Sequence, residues 1–174
     1  MKISLNLANS LSLFRIVIAP VVAWNIISGG WVTASFLLVL AIFSDLLDGP
    51  IARKKGQEST AGGLLDHSCD AILVAVLLFV LTETHGIPLL LPILVLLSFL
   101  QYVLDSKALS GQRLRTSFLG RSNGIAYFVL ACLCIFSKVL EINLPDYLIV
   151  TCAWILITST LLSMFERLWT LLTK

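Results

Sequence analysis

Charge is scarce in this chain. Asp, Glu, Lys and Arg make up 13% of its 174 residues, against 58% hydrophobic residues and a mean hydropathy of +0.98. Water-soluble domains run near half apolar and about a quarter charged, so the composition excludes a soluble globule and predicts a bilayer protein. The net charge of +2 is too small to suggest nucleic acid as a partner. Clustered nitrogen and sulfur ligands are missing as well. Cys69, Cys132, Cys134 and Cys152 show no zinc-ligand spacing, and Cys132 and Cys134, two apart on a helix, point in different directions. They read as buried free thiols that pack as small hydrophobes. Lys2 and the apolar run after it resemble a secretory signal, but no convincing small-residue cleavage site follows, so the run reads as a retained first span. Internal repeats and low-complexity tracts are absent, and residues 1–174 read as one membrane domain.

What is present is a series of six apolar runs at 11–28, 32–47, 68–82, 88–106, 122–140 and 146–168. A helix needs about 20 apolar residues to cross the hydrocarbon, so the expected fold is all-α, a polytopic bundle of six transmembrane helices. The second and third runs are short, and helix is expected to continue past the hydrocarbon at their charged ends. Residues 1–10 are expected to form a short interfacial segment. Gly29-Gly30, the stretch around Gly86-Ile87-Pro88, and Asn143-Leu144-Pro145 punctuate the turns on one side. Placing the N-terminus in the cytoplasm puts Lys2, Arg15, Arg53, Lys54, Lys55, Lys107, Arg113, Arg115, Arg121, Arg167 and Lys174 inside, which is all of the cations except Lys138. That asymmetry predicts two cytoplasmic termini and a cytoplasmic connection between the second and third spans.

The same connection carries the densest polar chemistry. Asp45 and Asp48 are three residues apart and Asp66 and Asp70 four apart, so each pair lies on one helical face. Four carboxylates converging in a partly desolvated place repel one another and would neutralise unless compensated. Two readings meet that requirement. Either the aspartates pair with Arg53, Lys54, Lys55 and Arg121, or they hold divalent cations, for which all-oxygen donors favour magnesium or manganese over zinc. Ionisable groups at membrane depth are costly and point to function.

The segment from Asp45 to Asp70 resembles the signature of the CDP-alcohol phosphatidyltransferase family. That signature runs Asp-x-x-Asp-Gly-x-x-Ala-Arg, eight residues, Gly, three residues, Asp, three residues, Asp. Asp45, Asp48, Gly49, Ala52, Arg53, Gly62, Asp66 and Asp70 occupy every fixed position. The family's six-helix fold matches the span count. The resemblance implies transfer of a substituted phosphate from a CDP-linked alcohol to an acceptor hydroxyl, with release of CMP. It implies two divalent cations, Mg2+ or Mn2+, on Asp45, Asp48, Asp66 and Asp70, with Asp70 also the general base. It places the nucleotide near Gly49, Arg53, Ser59 and Gly62, where a missing side chain lets the backbone approach and a guanidinium can bridge phosphate oxygens. Asn9-Ser-Leu-Ser12-Leu-Phe-Arg15 resembles the Asn-x-x-Thr-x-x-Arg element before the first span of relatives. Asn9 and Ser12 would contact the cytidine or cap the first helix, and Arg15 would pair with a carboxylate or a lipid phosphate. His67 is expected to face away from the aspartates in a structural or interfacial role.

The acceptor is expected to be chosen outside the signature. Arg113, Arg115 and Arg121 would bind a phosphate on the acceptor, or serve as positive-inside decoration against anionic headgroups. Phosphatidylglycerophosphate synthases usually carry a lysine where this chain has Ala71, and their Gly-Lys-x-Lys-Thr element is Gly120-Arg121-Ser122-Asn123-Gly124 here. The Asp66-His67-Ser68-Cys69-Asp70 segment also resembles the choline and ethanolamine phosphotransferase branch. The expected activity is therefore phosphatidyl transfer from CDP-diacylglycerol to a polar or phosphorylated alcohol in phospholipid biosynthesis. The alternatives are a CDP-linked small-alcohol phosphotransferase acting on a diacylglycerol-type acceptor, or a small divalent-cation transporter. The expected setting is the plasma membrane of a prokaryote with the site facing the cytoplasm, and a homodimer is a candidate assembly.

Overall fold

The computed structural model describes residues 7–56, 59–106 and 117–173. Six helices follow in order: α1 Leu7–Ile27, α2 Trp31–Lys54, α3 Thr60–His85, α4 Leu90–Asp105, α5 Phe118–Val139 and α6 Asp146–Leu172. Among the described residues there is no strand. Five of the helices are long and apolar enough to cross a membrane. The exception is α4, whose 16 residues span about 24 Å against a hydrocarbon core of about 30 Å. Its apolar run was read as continuing to residue 106, but the helix begins only at Leu90, after Pro88.

The charged ends of α2 and α3 are helical, as their short apolar runs implied. With 24 and 26 residues these helices reach about 36 and 39 Å, so each has a polar end to spare. Ser59 caps α3, its hydroxyl accepting the Gly62 N–H at 2.9 Å, and Ser117 caps α5 through Gly120 N–H at 3.1 Å. Gly86 closes α3 in the left-handed conformation (φ 66°), which a glycine adopts without the Cβ penalty. The interfacial reading of residues 1–10 needs correction, because residues 7–10 already belong to α1. Asn9 and Ser12 therefore lie inside the helix and cannot cap it.

The bundle is built around α3, which packs against α1, α4 and α5. Its Leu73, Leu77, Leu78 and Leu81 meet Val22 and Ile26 of α1, Leu38 of α2, Leu91 of α4 and Ile135 of α5 in one core. Lipid tails are as apolar as leucine, so burial alone does not drive these helices together. Close packing does, and it needs small residues at the contacts. Ala19 and Ala23 of α1 and Ala34 and Ala41 of α2 provide them, all buried. Buried hydrogen bonds add to it: Tyr127 of α5 meets Thr160 of α6, and Ser159 donates to Asn123 Oδ1 at 2.7 Å. The outer surface is correspondingly apolar, with Val17, Trp24, Phe36, Phe79, Ile125 and Trp154 all exposed. The cysteines are free, but only Cys69 and Cys134 are buried, while Cys152 is exposed. An apolar outer surface accepts a thiol as readily as the core does.

Candidate active site at the carboxylate end

The start of α1, the end of α2, the start of α3, the end of α4, the start of α5 and the end of α6 gather at one end of the bundle. There, Asp45 and Asp48 from α2 and Asp66 and Asp70 from α3 converge on a single side chain of α1, Arg15. Its Nη1 donates to Asp45 Oδ1, and its Nη2 donates to Asp48 Oδ2 at 3.0 Å and to Asp66 Oδ1. Its Nε faces Asp70 Oδ1 at 3.2 Å as an ion pair. Arg15 is 1% exposed and Asp48 8%, whereas Asp45 and Asp70 are 47% and 39% exposed. One end of the cluster is therefore sealed in the bundle and the other is open.

Ser12 lies one turn before Arg15 on the same face of α1. Its hydroxyl is 3.1 Å from Asp48 Oδ2, 3.3 Å from Asp66 Oδ1 and 3.3 Å from the Ala8 carbonyl oxygen. One hydroxyl proton serves one of these at a time. The sequence offered Arg53, Lys54, Lys55 and Arg121 as partners for the aspartates. It also gave Arg15 a carboxylate or a lipid phosphate as partner, and among the described residues Arg15 is the cation that pairs with all four. Four carboxylates against one guanidinium leave a formal deficit of positive charge, which is the condition that favours further cations.

The donor set suits them. One oxygen each from Asp45, Asp48 and Asp66 lie within 4.8 Å of one another, and so do ligand atoms of Asp66, His67 and Asp70. The two sets share Asp66, as a pair of neighbouring ions would require, and they are dominated by the hard oxygens that magnesium and manganese prefer. His67 was expected to face away. It stands about 100° around the helix from Asp66 but only about 60° from Asp70, three residues on, so it shares the site's face. Its Nδ1 is 3.8 Å from Asp66 Oδ2.

The residues read as nucleotide-binding fall into two groups. Arg53 folds back toward Gly49, where an added Cβ would lie 3.5 Å from its Nη1. Gly62 lies against the buried Asn9, and a Cβ on it would lie 3.1 Å from both Asn9 Oδ1 and Ser59 Oγ. Gly62 thus lets α3 begin tight against α1. Arg113 and Arg115, together with Lys107, lie outside the described residues.

A cavity of about 430 Å3 opens beside the cluster. Arg15, Asp45, His67, Asp70, Arg121 and Arg167 form its charged and polar lining, and Ile42, Val74, Val95, Phe99 and Phe128 are among its apolar walls. Asp48 and Asp66 are not part of this lining. Arg167, near the end of α6, was assigned only to positive-inside decoration. Its guanidinium carbon sits 4.9 Å over the Tyr102 ring and its Nη2 is 3.4 Å from Ser117 Oγ. It also lies against Gly120, where any Cβ would collide with it. Among the described residues neither Arg121 nor Arg167 pairs with a carboxylate.

The sequence model described as CDP-alcohol phosphatidyltransferase matches residues 5–169. The chain is similar to a chloroplastic CDP-diacylglycerol–glycerol-3-phosphate 3-phosphatidyltransferase of Oryza sativa, 37% identical over 79 residues, covering 45% of this chain and 24% of that protein. It is similar to cardiolipin synthase (CMP-forming) of Homo sapiens, 42% identical over 81 residues, covering 46% of this chain and 27% of the other. Cardiolipin synthase (CMP-forming) of Streptomyces coelicolor is 35% identical over 100 residues, covering 53% and 46%. The chain thus spans only about a quarter to a half of the length of these relatives. With the signature aspartates brought together at one end of a helical bundle and nearly the whole chain matched, the protein belongs to the CDP-alcohol phosphatidyltransferase family.

Proposed function

We propose that the protein transfers a phosphatidyl group from CDP-diacylglycerol to the hydroxyl of a polar or phosphorylated alcohol and releases CMP. The observation that carries this reading is the convergence of both carboxylate pairs on Arg15 beside a cavity with apolar walls, which one aspartate of each pair, Asp45 and Asp70, helps to line. A donor with a charged pyrophosphate and two acyl chains has that same division. Two divalent ions held by Asp45, Asp48, Asp66 and Asp70 would neutralise the pyrophosphate and the departing CMP.

The chain's own groups supply the rest. The acceptor oxygen bonds to the lipid-bearing phosphorus as the bond from that phosphorus to the CMP oxygen breaks. Asp70, which lines the cavity, takes the acceptor's proton. Gly49 and Arg53 receive the nucleotide phosphates from the α2 side, with Asn9, Ser12, Ser59 and Gly62 on the side of α1 and α3. Family membership speaks against ion transport.

Arg121 and Arg167 fit a phosphate on the acceptor, being cations that line the cavity without acidic partners among the described residues. Replacing either by Ala is expected to raise the acceptor KM about 10- to 100-fold with a smaller change in kcat, the scale of a lost charge-assisted hydrogen bond. An acceptor panel with purified protein, read by the mass of the lipid product, identifies the substrate for that measurement. Unchanged KM in both variants would remove the arginines from the acceptor site.

The placement of the site in the cytoplasm rests on the lysines and arginines of the carboxylate end. Cysteine labelling in sealed cells is expected to find Lys55→Cys protected from external reagent and Gly86→Cys accessible. External labelling of Lys55→Cys would reverse the orientation. Relatives in Streptomyces coelicolor and Pseudomonas fluorescens support a prokaryotic plasma membrane as the setting.

A further inference from the structure

We propose that Arg15 is an exchangeable counter-cation of the carboxylate cluster, so that divalent ions bind by competing with its guanidinium for the same aspartate oxygens. The inference rests on the two-ion reading above and extends it to a residue of α1.

Three observations carry it. The first is position. A guanidinium that is 1% exposed touches carboxylates from two other helices, with Nη2 between Asp48 and Asp66 and Nη1 on Asp45. The second is identity of ligands. Asp45, Asp48 and Asp66 are the residues whose oxygens approach closely enough to share an ion. Magnesium sits about 2.1 Å from its oxygens. Nη2 already stands 3.0 Å from Asp48 Oδ2, on the side where Asp66 also closes in. An ion shared by those oxygens would press against a like-charged nitrogen, so one must yield. The third is charge. One guanidinium cannot neutralise four aspartates, but it lowers the repulsion among them while the bundle assembles.

Arginine stays protonated under all relevant conditions, so the exchange moves no proton. The guanidinium's bonds to the shared oxygens would open where Asp45, Asp48 and Asp66 hold an ion, and the carboxylates would stay ionised throughout. With two ions in place and Arg15 still nearby, the site carries a net positive charge that suits an incoming pyrophosphate. A fixed strut would behave differently. If Arg15 only oriented the aspartates, removing it would spoil their geometry and weaken ion binding.

The test uses Mn2+ alone as the probe, titrated into purified protein in detergent and followed by the loss of the free-ion paramagnetic resonance signal. Arg15→Gln is expected to bind Mn2+ at least about tenfold tighter than wild type, the scale of one charge-assisted hydrogen bond that no longer has to open. Its melting temperature in EDTA is expected to fall below that of wild type and to recover with Mn2+. Arg15→Lys keeps the charge but loses the planar fork. It guards against a Gln variant that fails to fold, and it too is expected to bind Mn2+ more tightly than wild type. Unchanged or weaker Mn2+ affinity in the folded variants, with normal binding by wild type, overturns the exchange alone. A wild-type protein that binds no Mn2+ overturns the two-ion reading and the exchange with it.

Discussion

Chelation with EDTA is expected to reduce CMP release from CDP-diacylglycerol to background, and added Mg2+ or Mn2+ to restore it. The charge at the site requires this. Asp45, Asp48, Asp66 and Asp70 outnumber the one guanidinium that pairs with them among the described residues, and a pyrophosphate diester brings further negative charge into the same space. Two like unit charges 4 Å apart repel by about 4 kcal/mol at the effective dielectric of a protein surface. Several such pairs would keep the donor's phosphates out of the cluster. His67 offsets little of this, because its imidazole is charged only when protonated and it faces Asp66 at 3.8 Å from an exposed position. Arg121 and Arg167 line the same cavity as Asp45 and Asp70 but form no ion pair with a carboxylate among the described residues. Restoration by Mg2+ and Mn2+ with none by a monovalent salt would distinguish coordination from general screening. Full activity in excess chelator would end the two-ion reading.

How far the sequence revealed this architecture depended on the range of the interaction involved. Each carboxylate pair was legible because its spacing lies within one turn of one helix. The helices themselves were legible because apolar runs of the right length have few other uses. The polar extensions of α2 and α3 followed from helix continuing beyond the hydrocarbon, whereas the start of α4 was set by a local Pro88 turn that hydropathy does not register. His67 was expected to face away from both Asp66 and Asp70, but a spacing of three residues leaves it only about 60° from Asp70 around the helix. Arg15 and Arg167 belong to a different class of difficulty. A carboxylate was one of the two partners read for Arg15, but it lies 30 residues before Asp45 and 51 before Asp66, so nothing local shows that it joins all four aspartates. Arg167 is positioned by Tyr102 of α4, by Ser117, and by Gly120 of α5. The one signal available was Gly120 opening the element that carries Arg121, since a glycine in the first turn of a helix often marks a close approach.

Asp70→Asn is expected to lower turnover by about 100-fold or more while leaving CDP-diacylglycerol binding nearly intact. The loss of a positioned general base typically costs about 100- to 10,000-fold. Asp70 is the aspartate of α3 that lines the cavity, in company with Arg121 and Arg167, where an acceptor would enter. An asparagine there keeps the shape and an oxygen that can face an ion, but it cannot accept a proton. Asp48 provides the contrast. It is 8% exposed, is absent from the cavity lining, and has one oxygen engaged by both Ser12 and Arg15. Asp48→Asn removes negative charge from the sealed end of the cluster, so it should weaken ion and nucleotide binding together rather than the proton transfer. Single-turnover rates at saturating Mn2+, set beside donor binding measured separately, resolve the two effects. The Asp70 variant should stay slow however much ion and donor are supplied, whereas the Asp48 variant should recover as both are raised. An Asp70→Asn enzyme that turns over at close to the wild-type rate would mean that Asp70 is not the base, and that polarisation of the acceptor hydroxyl by an ion activates it without a protein carboxylate.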